Sequence, residues 1–164
     1  MIGDSIQLRK PTATDGASLH RLISQCPPLD TNSMYCNLLH CSHFAQTSVV
    51  AEKEGEMVGF ISGYVVPGRA DTLFIWQVAV SAQARGLGLA SSMLDHIFDR
   101  PELKAVQYLE TTITPGNDAS WALFTKFSKT RQAPFSDQAF FDKAKHFNGE
   151  HESEWLVHIG PISR

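Results

Sequence analysis

The sequence predicts an α+β fold in a single domain spanning residues 1–164, with helices covering a largely antiparallel sheet. Three observations carry this. Two β-rich runs meet at Glu54-Gly55-Glu56, which reads as a hairpin turn, and a second turn lies at Pro67-Gly68. The run Leu73-Phe-Ile-Trp-Gln-Val-Ala-Val80 is nearly all apolar, as a central strand must be when both its faces are covered. Apolar residues at helical spacing precede and follow these strands.

Ser5 to Lys10 alternates in polarity and reads as a first strand ending at Pro11. Thr14-Asp15 offers a helix cap before Leu19, Leu22 and Ile23. The paired prolines of Cys26-Pro-Pro-Leu-Asp-Thr-Asn32 stop that helix, so this segment is a loop. Met34, Leu38 and Cys41 predict a second helix from Ser33 to about Phe44. Ser48–Lys53 and Met57–Val66 are the two hairpin strands. Leu89, Met93 and Ile97 form one helical row, with Ala90, Leu94 and Phe98 beside it, ending before Pro101. Val106–Thr114 alternates as a strand, and Pro115-Gly116-Asn117 opens a helix containing Trp121, Leu123, Phe124 and Phe127. From about Thr130 the pattern is less regular. Trp155–Ile159 reads as a last strand, and the Phe-rich segment before it (Phe135, Phe140, Phe141, Phe147) reads as an irregular cover.

Composition narrows the function classes. With 14 Lys and Arg against 17 Asp and Glu the net charge is −3, and no cationic stripe marks a nucleic-acid binder. Apolar residues make up 43%, too many for a disordered chain. The three cysteines, Cys26, Cys36 and Cys41, make no disulfide framework. Met1 to Lys10 lacks the apolar core of a secretory signal, and no apolar run is long enough for a membrane helix. The expected location is cytoplasmic.

The informative stretch runs from Val78 to Ala90: a buried strand, a short loop, then a Gly-rich helix start. Unpaired N–H groups at such a helix N-terminus favour a phosphate or pyrophosphate. Gly86 and Gly88 remove side chains from the approach, and Arg85 adds positive charge. A tight strand-to-helix turn with no ligand reads equally from Gly-x-Gly alone. No Gly-Lys-Ser/Thr follows, so it is no Walker loop. The third glycine of a dinucleotide fingerprint is missing, and hairpins rather than parallel units precede the motif.

Gln83-x-x-Gly86-x-Gly88 after Val78-Ala-Val80 resembles the acyl-coenzyme-A motif of the GNAT family of N-acetyltransferases. The strand Tyr108-Leu-Glu-Thr-Thr and the helix led by Asn117 are similar to that family's next motif, in order. The likeness spans roughly residues 5–128 and implies a GNAT-like α+β domain using acetyl-coenzyme A. Further segments resemble a narrower family, the diaminobutyrate acetyltransferases of ectoine synthesis. They are Leu29-Asp-Thr-Asn-Ser-x-Tyr-Cys36, Phe44-Ala-x-Thr-Ser-Val-Val-Ala51, Gly59-Phe-Ile-Ser-Gly-Tyr64, Leu73–Val80, Leu109-Glu-Thr-Thr112 and His151-Glu-x-Glu154.

The resemblance implies direct acetyl transfer from acetyl-coenzyme A to an amine of the diamine, at its 4-amino group. Backbone amides of Arg85, Gly86, Leu87, Gly88, Leu89 and Ala90 would hold the pyrophosphate. Val78, Ala79 and Val80 would pair with the pantetheine arm, and the Val78 N–H would polarise the thioester carbonyl. Asn117 would touch the coenzyme arm, with Lys126 near its phosphates. Many relatives carry a Tyr seven residues after that Asn, as acid for the leaving thiolate. Here the slot is Phe124, so another group donates the proton or the thiolate leaves unassisted.

A diamine with two ammonium groups and one carboxylate calls for acidic residues. Glu110, alternating with Tyr108 and Thr112 on one strand face, is the expected general base, direct or through water. Asp30 and Glu154 are expected to bind ammonium groups. Tyr35, Trp76, Thr112 and His151 would shape the pocket. Plainer roles stand beside these. Asp30 also fits a helix cap, Trp76 a core residue, and His151 with Glu154 ordinary surface. A buried carboxylate such as Glu110 is costly unless paired or functional. Cys36, His40, Cys41 and His43 admit a metal reading, but no second ligand pair has zinc-like spacing, so no metal is expected. A homodimer is implied, with its contact sought in the carboxy-terminal third. Two other functions fit the same motifs: acetylation of another small amine such as a polyamine, and a non-catalytic acyl-coenzyme-A binding module.

Overall fold

Side-chain periodicity turns into secondary structure along most of the chain. The computed structural model describes residues 5–164, and Asp4 with the rest of the first four residues lies outside them. The elements are β1 (Ile6–Arg9), α1 (Gly16–Ser24), α2 (Met34–Cys41), β2 (Val49–Lys53), β3 (Glu56–Val65), β4 (Thr72–Val80), α3 (Leu89–Phe98), β5 (Tyr108–Ile113), α4 (Asp118–Thr130), β6 (Phe135–Phe141) and β7 (Glu154–Ile159). Among the described residues the strands follow the hydrogen-bonded order β1-β2-β3-β4-β5-β7-β6. β4 and β5 pair parallel, while β1–β2, β2–β3, β5–β7 and β6–β7 pair antiparallel. This is the mixed, mostly antiparallel sheet with helices that the sequence predicts.

Three local expectations change. Asp15 holds the N-cap position of α1, but its side chain makes no cap bond there. Its carboxylate accepts the Thr12 N–H at 2.7 Å across a short 3-10 turn, Ala13–Asp15, and takes both terminal nitrogens of Arg9 at 2.8 Å. α2 stops at Cys41 rather than Phe44, where the Ser42 hydroxyl bonds back to the Leu38 carbonyl at 2.7 Å. The expected irregular cover contains a strand, β6. Its own alternation is weak, and it forms because β7 offers a strand edge, with Ser136 opposite His158 and Gln138 opposite Leu156.

The contacts of the chain gather into two compact units, one of residues up to Tyr64 with Trp76–Lys104, the other of Val65–Ile75 with Ala105–Arg164. The first unit's core joins Leu19, Leu22 and Ile23 of α1 and Cys41 of α2 to Val50, Phe60 and Ala79 of the strands. α3 comes so near β3 that a Cβ on Gly59 would lie 3.0 Å from Met93 and 3.1 Å from Leu89. In the second unit Leu109, Ile113, Val157 and Ile159 alternate inward on β5 and β7, and α4 buries Phe124 and Phe127. The opposite face of β5 and β7 carries Tyr108, Glu110, Thr112, Glu154, Leu156 and His158.

Candidate active site

Each unit holds its own group of candidate residues. In the first, β4 leads through a 3-10 turn, Ala82–Ala84, into the Gly-rich loop and α3. Gly86 and Gly88 both take left-handed backbone, φ +79° and +71°, with open space where a Cβ would sit. Conformation rather than crowding selects glycine there. Gly88 is the residue before α3, and no side chain caps the helix. The N–H groups of Leu89, Ala90 and Ser91 therefore have no intrahelical acceptor and lie at the positive end of the helix dipole. Arg85, Leu87 and Ala90 flank this opening with Arg85 exposed. These features fit a pyrophosphate, which needs several N–H donors and close approach to the main chain.

The same unit holds Asp30, Tyr35 and Trp76. Asp30 is exposed, and its Oδ1 accepts the Asn32 N–H at 3.1 Å. It is not the cap of α2: Ser33 is, its hydroxyl accepting from the Cys36 N–H at 3.0 Å. Tyr35 is 71% exposed and Trp76 40%, so neither is core. The Trp76 ring lies 4.5 Å from the His40 ring, tilted by 38°. Burial pushes the His40 imidazole down to about 4, so it is neutral near pH 7. Val78 and Val80 are half-buried and Ala79 is buried. The metal-like quartet is dispersed in role. Cys36 and Cys41 are free thiols, burial raising Cys36 and pushing Cys41 up to about 12. Among the described residues no three His, Cys, Asp or Glu side chains gather as a metal site needs.

The second unit holds Glu110, Thr112, Asn117, Phe124, Lys126, His151 and Glu154. Glu110 is 4% exposed. Its Oε1 and Oε2 accept the two terminal nitrogens of Arg69 at 2.7 and 3.0 Å, and Oε2 also accepts His158 Nδ1–H at 2.8 Å. Tyr108 stacks on His158 with centroids 5.1 Å apart. Burial alone would raise the Glu110 carboxyl, but the Arg69 and His158 hydrogen bonds outweigh it and hold it below the ordinary carboxylate value. A carboxylate so engaged is a weak base. Its burial is explained by two cation-capable partners, which local sequence does not reveal, because Arg69 follows the Pro67-Gly68 turn and His158 sits on β7.

Thr112, expected to shape the pocket, and Glu154, expected to bind an ammonium group, are hydrogen-bonded: the Thr112 hydroxyl donates to Glu154 Oε1 at 2.9 Å. His151 is exposed, its ring 4.5 Å from that of Phe147 and tilted by 37°, with Nδ1 against the Glu152 carbonyl at 2.6 Å. Asn117 caps α4, its Oδ1 accepting from the Ser120 N–H at 3.2 Å. Lys126 is exposed on α4, whereas Phe124 is 2% exposed and presents little surface to a ligand. Sequence reading missed Arg69 and His158, and in the first unit Gln77 and Asn32. The only signal for the latter pair was that both lie inside resembling segments.

Residues 17–128 match the family model described as Acetyltransferase (GNAT) family. The chain is 55% identical over 157 residues to L-2,4-diaminobutyric acid acetyltransferase of Methylotuvimicrobium alcaliphilum, covering 96% of this chain and 91% of that one. It is 50% identical over 151 residues to the protein of the same name from Vibrio cholerae, covering 92% and 87%. A solved structure of diaminobutyrate acetyltransferase EctA from Paenibacillus lautus, in complex with L-2,4-diaminobutyric acid and coenzyme A, superposes with a TM-score of 0.93. That pair is 36% identical over 99% of this chain and 98% of the other. Among the described residues no helix is long and apolar enough to cross a membrane.

Proposed function

Because the chain belongs to the acetyltransferase (GNAT) family and, within it, to the L-2,4-diaminobutyric acid acetyltransferases, we propose that it acetylates the 4-amino group of L-2,4-diaminobutyrate. The products are N4-acetyl-diaminobutyrate and coenzyme A, a step of ectoine synthesis serving osmoprotection. Near-full-length identity to relatives of that name carries this reading.

Acetyl-coenzyme A supplies the acetyl group as an activated thioester. The uncapped N–H groups at the start of α3 hold its pyrophosphate, with Arg85 beside them. The Val78 N–H stabilises the carbonyl oxygen as charge develops on it. Asp30, in the first unit, attracts an ammonium group of the diamine. In the second unit Glu154 is a separate candidate for an ammonium group, its Oε1 taking the Thr112 hydroxyl. Exposed Trp76 and Tyr35 supply aromatic walls, and His40 behind Trp76 stays neutral and adds no competing positive charge.

We read Glu110 as an anchor rather than a direct base. It stays ionised and fixes Arg69 and His158, so the amine gives up its proton to water rather than to Glu110 directly. With Phe124 buried in place of a hydroxyl, the thiolate leaves unassisted. A thiol pKa of about 8.5 makes that departure facile.

The protein is proposed to act in the cytoplasm as a homodimer. Phe140 and Phe141, 44% and 38% exposed on edge strand β6, provide apolar surface for a second copy. Sedimentation at twice 18.2 kDa is expected, and a monomer at micromolar concentration rejects the dimer.

Purified protein mixed with acetyl-coenzyme A and L-2,4-diaminobutyrate is expected to release free thiol and form the N4-acetyl product. A much higher kcat/KM with a polyamine would reassign the substrate. Coenzyme binding with no turnover on any amine would make the chain a binding module.

A further inference from the structure

Asp30 sits on a loop without regular structure, yet its position is fixed by side chains that have no role in the chemistry described so far. Gln77 on β4 spans to that loop with both ends of its amide. Nε2 donates to the Asp30 carbonyl at 2.7 Å, and Oε1 accepts from Asn32 Nδ2 at 2.9 Å. The Gln77 backbone is itself fixed, since its N–H donates to the Ser62 hydroxyl on β3 at 3.2 Å. Asn32 has left-handed backbone, φ +56°, a conformation Asn tolerates better than most residues. That conformation turns its N–H onto Asp30 Oδ1. The chain of amides continues inward. Asn32 Nδ2 also reaches Asn37 Oδ1 at 3.3 Å, and Asn37, fully buried on α2, donates from Nδ2 to His20 Nδ1 on α1 at 3.0 Å.

We propose that Gln77 is a positioning residue for diamine recognition: it clamps the Asp30 loop to β4 so that the Asp30 carboxylate is preorganised for an ammonium group. This rests on the proposed acetylation of a diamine with Asp30 as one ammonium ligand. Fixing a carboxylate before the substrate arrives avoids the ordering cost that a mobile loop would impose at binding. An uncharged amide suits the task, because it holds the loop by two hydrogen bonds without neutralising Asp30. A Lys or Arg at 77 would hold the same carbonyl but compete with the substrate for the carboxylate.

The test measures both Michaelis constants, kcat and the thermal midpoint for Gln77→Leu, Gln77→Glu, Asp30→Asn and the double variant Asp30→Asn/Gln77→Leu. Gln77→Glu keeps the acceptor for Asn32 and loses only the donor to the Asp30 carbonyl. Expected is a rise of about tenfold in KM for diaminobutyrate in Gln77→Leu, the effect of one to two hydrogen bonds. A smaller rise is expected in Gln77→Glu. KM for acetyl-coenzyme A stays within about twofold, and kcat falls less than KM rises. The double variant is expected to be no worse than Asp30→Asn alone, because Gln77 acts through Asp30.

Additive effects in the double variant, or an unchanged diamine KM in both Gln77 variants beside a raised one in Asp30→Asn, would overturn the positioning role while leaving Asp30 in place. An unchanged diamine KM in Asp30→Asn would remove Asp30 from the site and the role of Gln77 with it. If Gln77→Leu unfolds, Gln77→Glu decides the same question.

Discussion

At Glu110 one buried carboxylate meets Arg69 and His158, and its two oxygens take three hydrogen bonds. Removing the charge leaves Arg69 with a poorer acceptor, although Arg69 is half exposed and water compensates part of the loss. Glu110→Gln is expected to lower stability by about 1–3 kcal/mol, read by denaturant unfolding. Because the folded-state value lies below 4.5, the stabilisation is complete above pH 4.5 and is lost as pH falls through the folded value. The gap between wild type and variant should therefore close below pH 4.5. A gap that persists there would assign the loss to packing. If Glu110 were the base after all, kcat would collapse in Glu110→Gln while KM held. His40 carries the opposite chemistry with the same direction in pH. Its value falls from 6.5 unfolded to about 4 folded, so stability drops as pH falls from 6.5 toward 4. His40→Phe should flatten that part of the profile, as followed by thermal midpoints across pH 4–7.

The start of α3 shows how an element's end can offer a candidate binding feature. Its glycines face open space, so a side chain there collides with nothing in the protein itself. Gly86→Val is expected to cost about 1–2 kcal/mol for forcing a β-branched residue into left-handed backbone. It should also weaken acetyl-coenzyme A binding tenfold or more, measured by calorimetry. Gly86→Asn relaxes the backbone cost but still puts a side chain in the approach, so its stability should recover more than its affinity. Affinity unchanged in both variants would take this loop out of the coenzyme site. Elements with strong periodicity were legible from sequence: α3, β4 and β5 stand within two residues of expectation, since burial of one stripe or both faces dictates their patterns. β6 was not. Phe135-Ser-Asp-Gln-Ala-Phe-Phe141 lacks a clear period, and a neighbouring strand edge, not its own residues, makes it a strand.

On the scale of the whole molecule, the two compact units interleave along the chain, each built from two separate segments. Neither is a contiguous piece that could be cut free, and β4 contributes residues to both, Thr72–Ile75 to one and Trp76–Val80 to the other. We expect one cooperative unfolding transition, with far-ultraviolet circular dichroism and Trp fluorescence coinciding. Two separated transitions would show two domains. By itself the sequence determined the fold class and displayed the Gly-rich helix start, because periodicity and glycine placement are local properties that residue order displays directly; the acids were named as candidates by the family resemblance. Only the tertiary structure decided what those acids touch. Arg69 and His158 engage Glu110, Thr112 meets Glu154, and Gln77 grips the loop of Asp30. These pairings join residues from 41 to 48 positions apart in the chain. A carboxylate's pKa and freedom depend on such partners, and chain folding, not residue order, brings them within 3 Å.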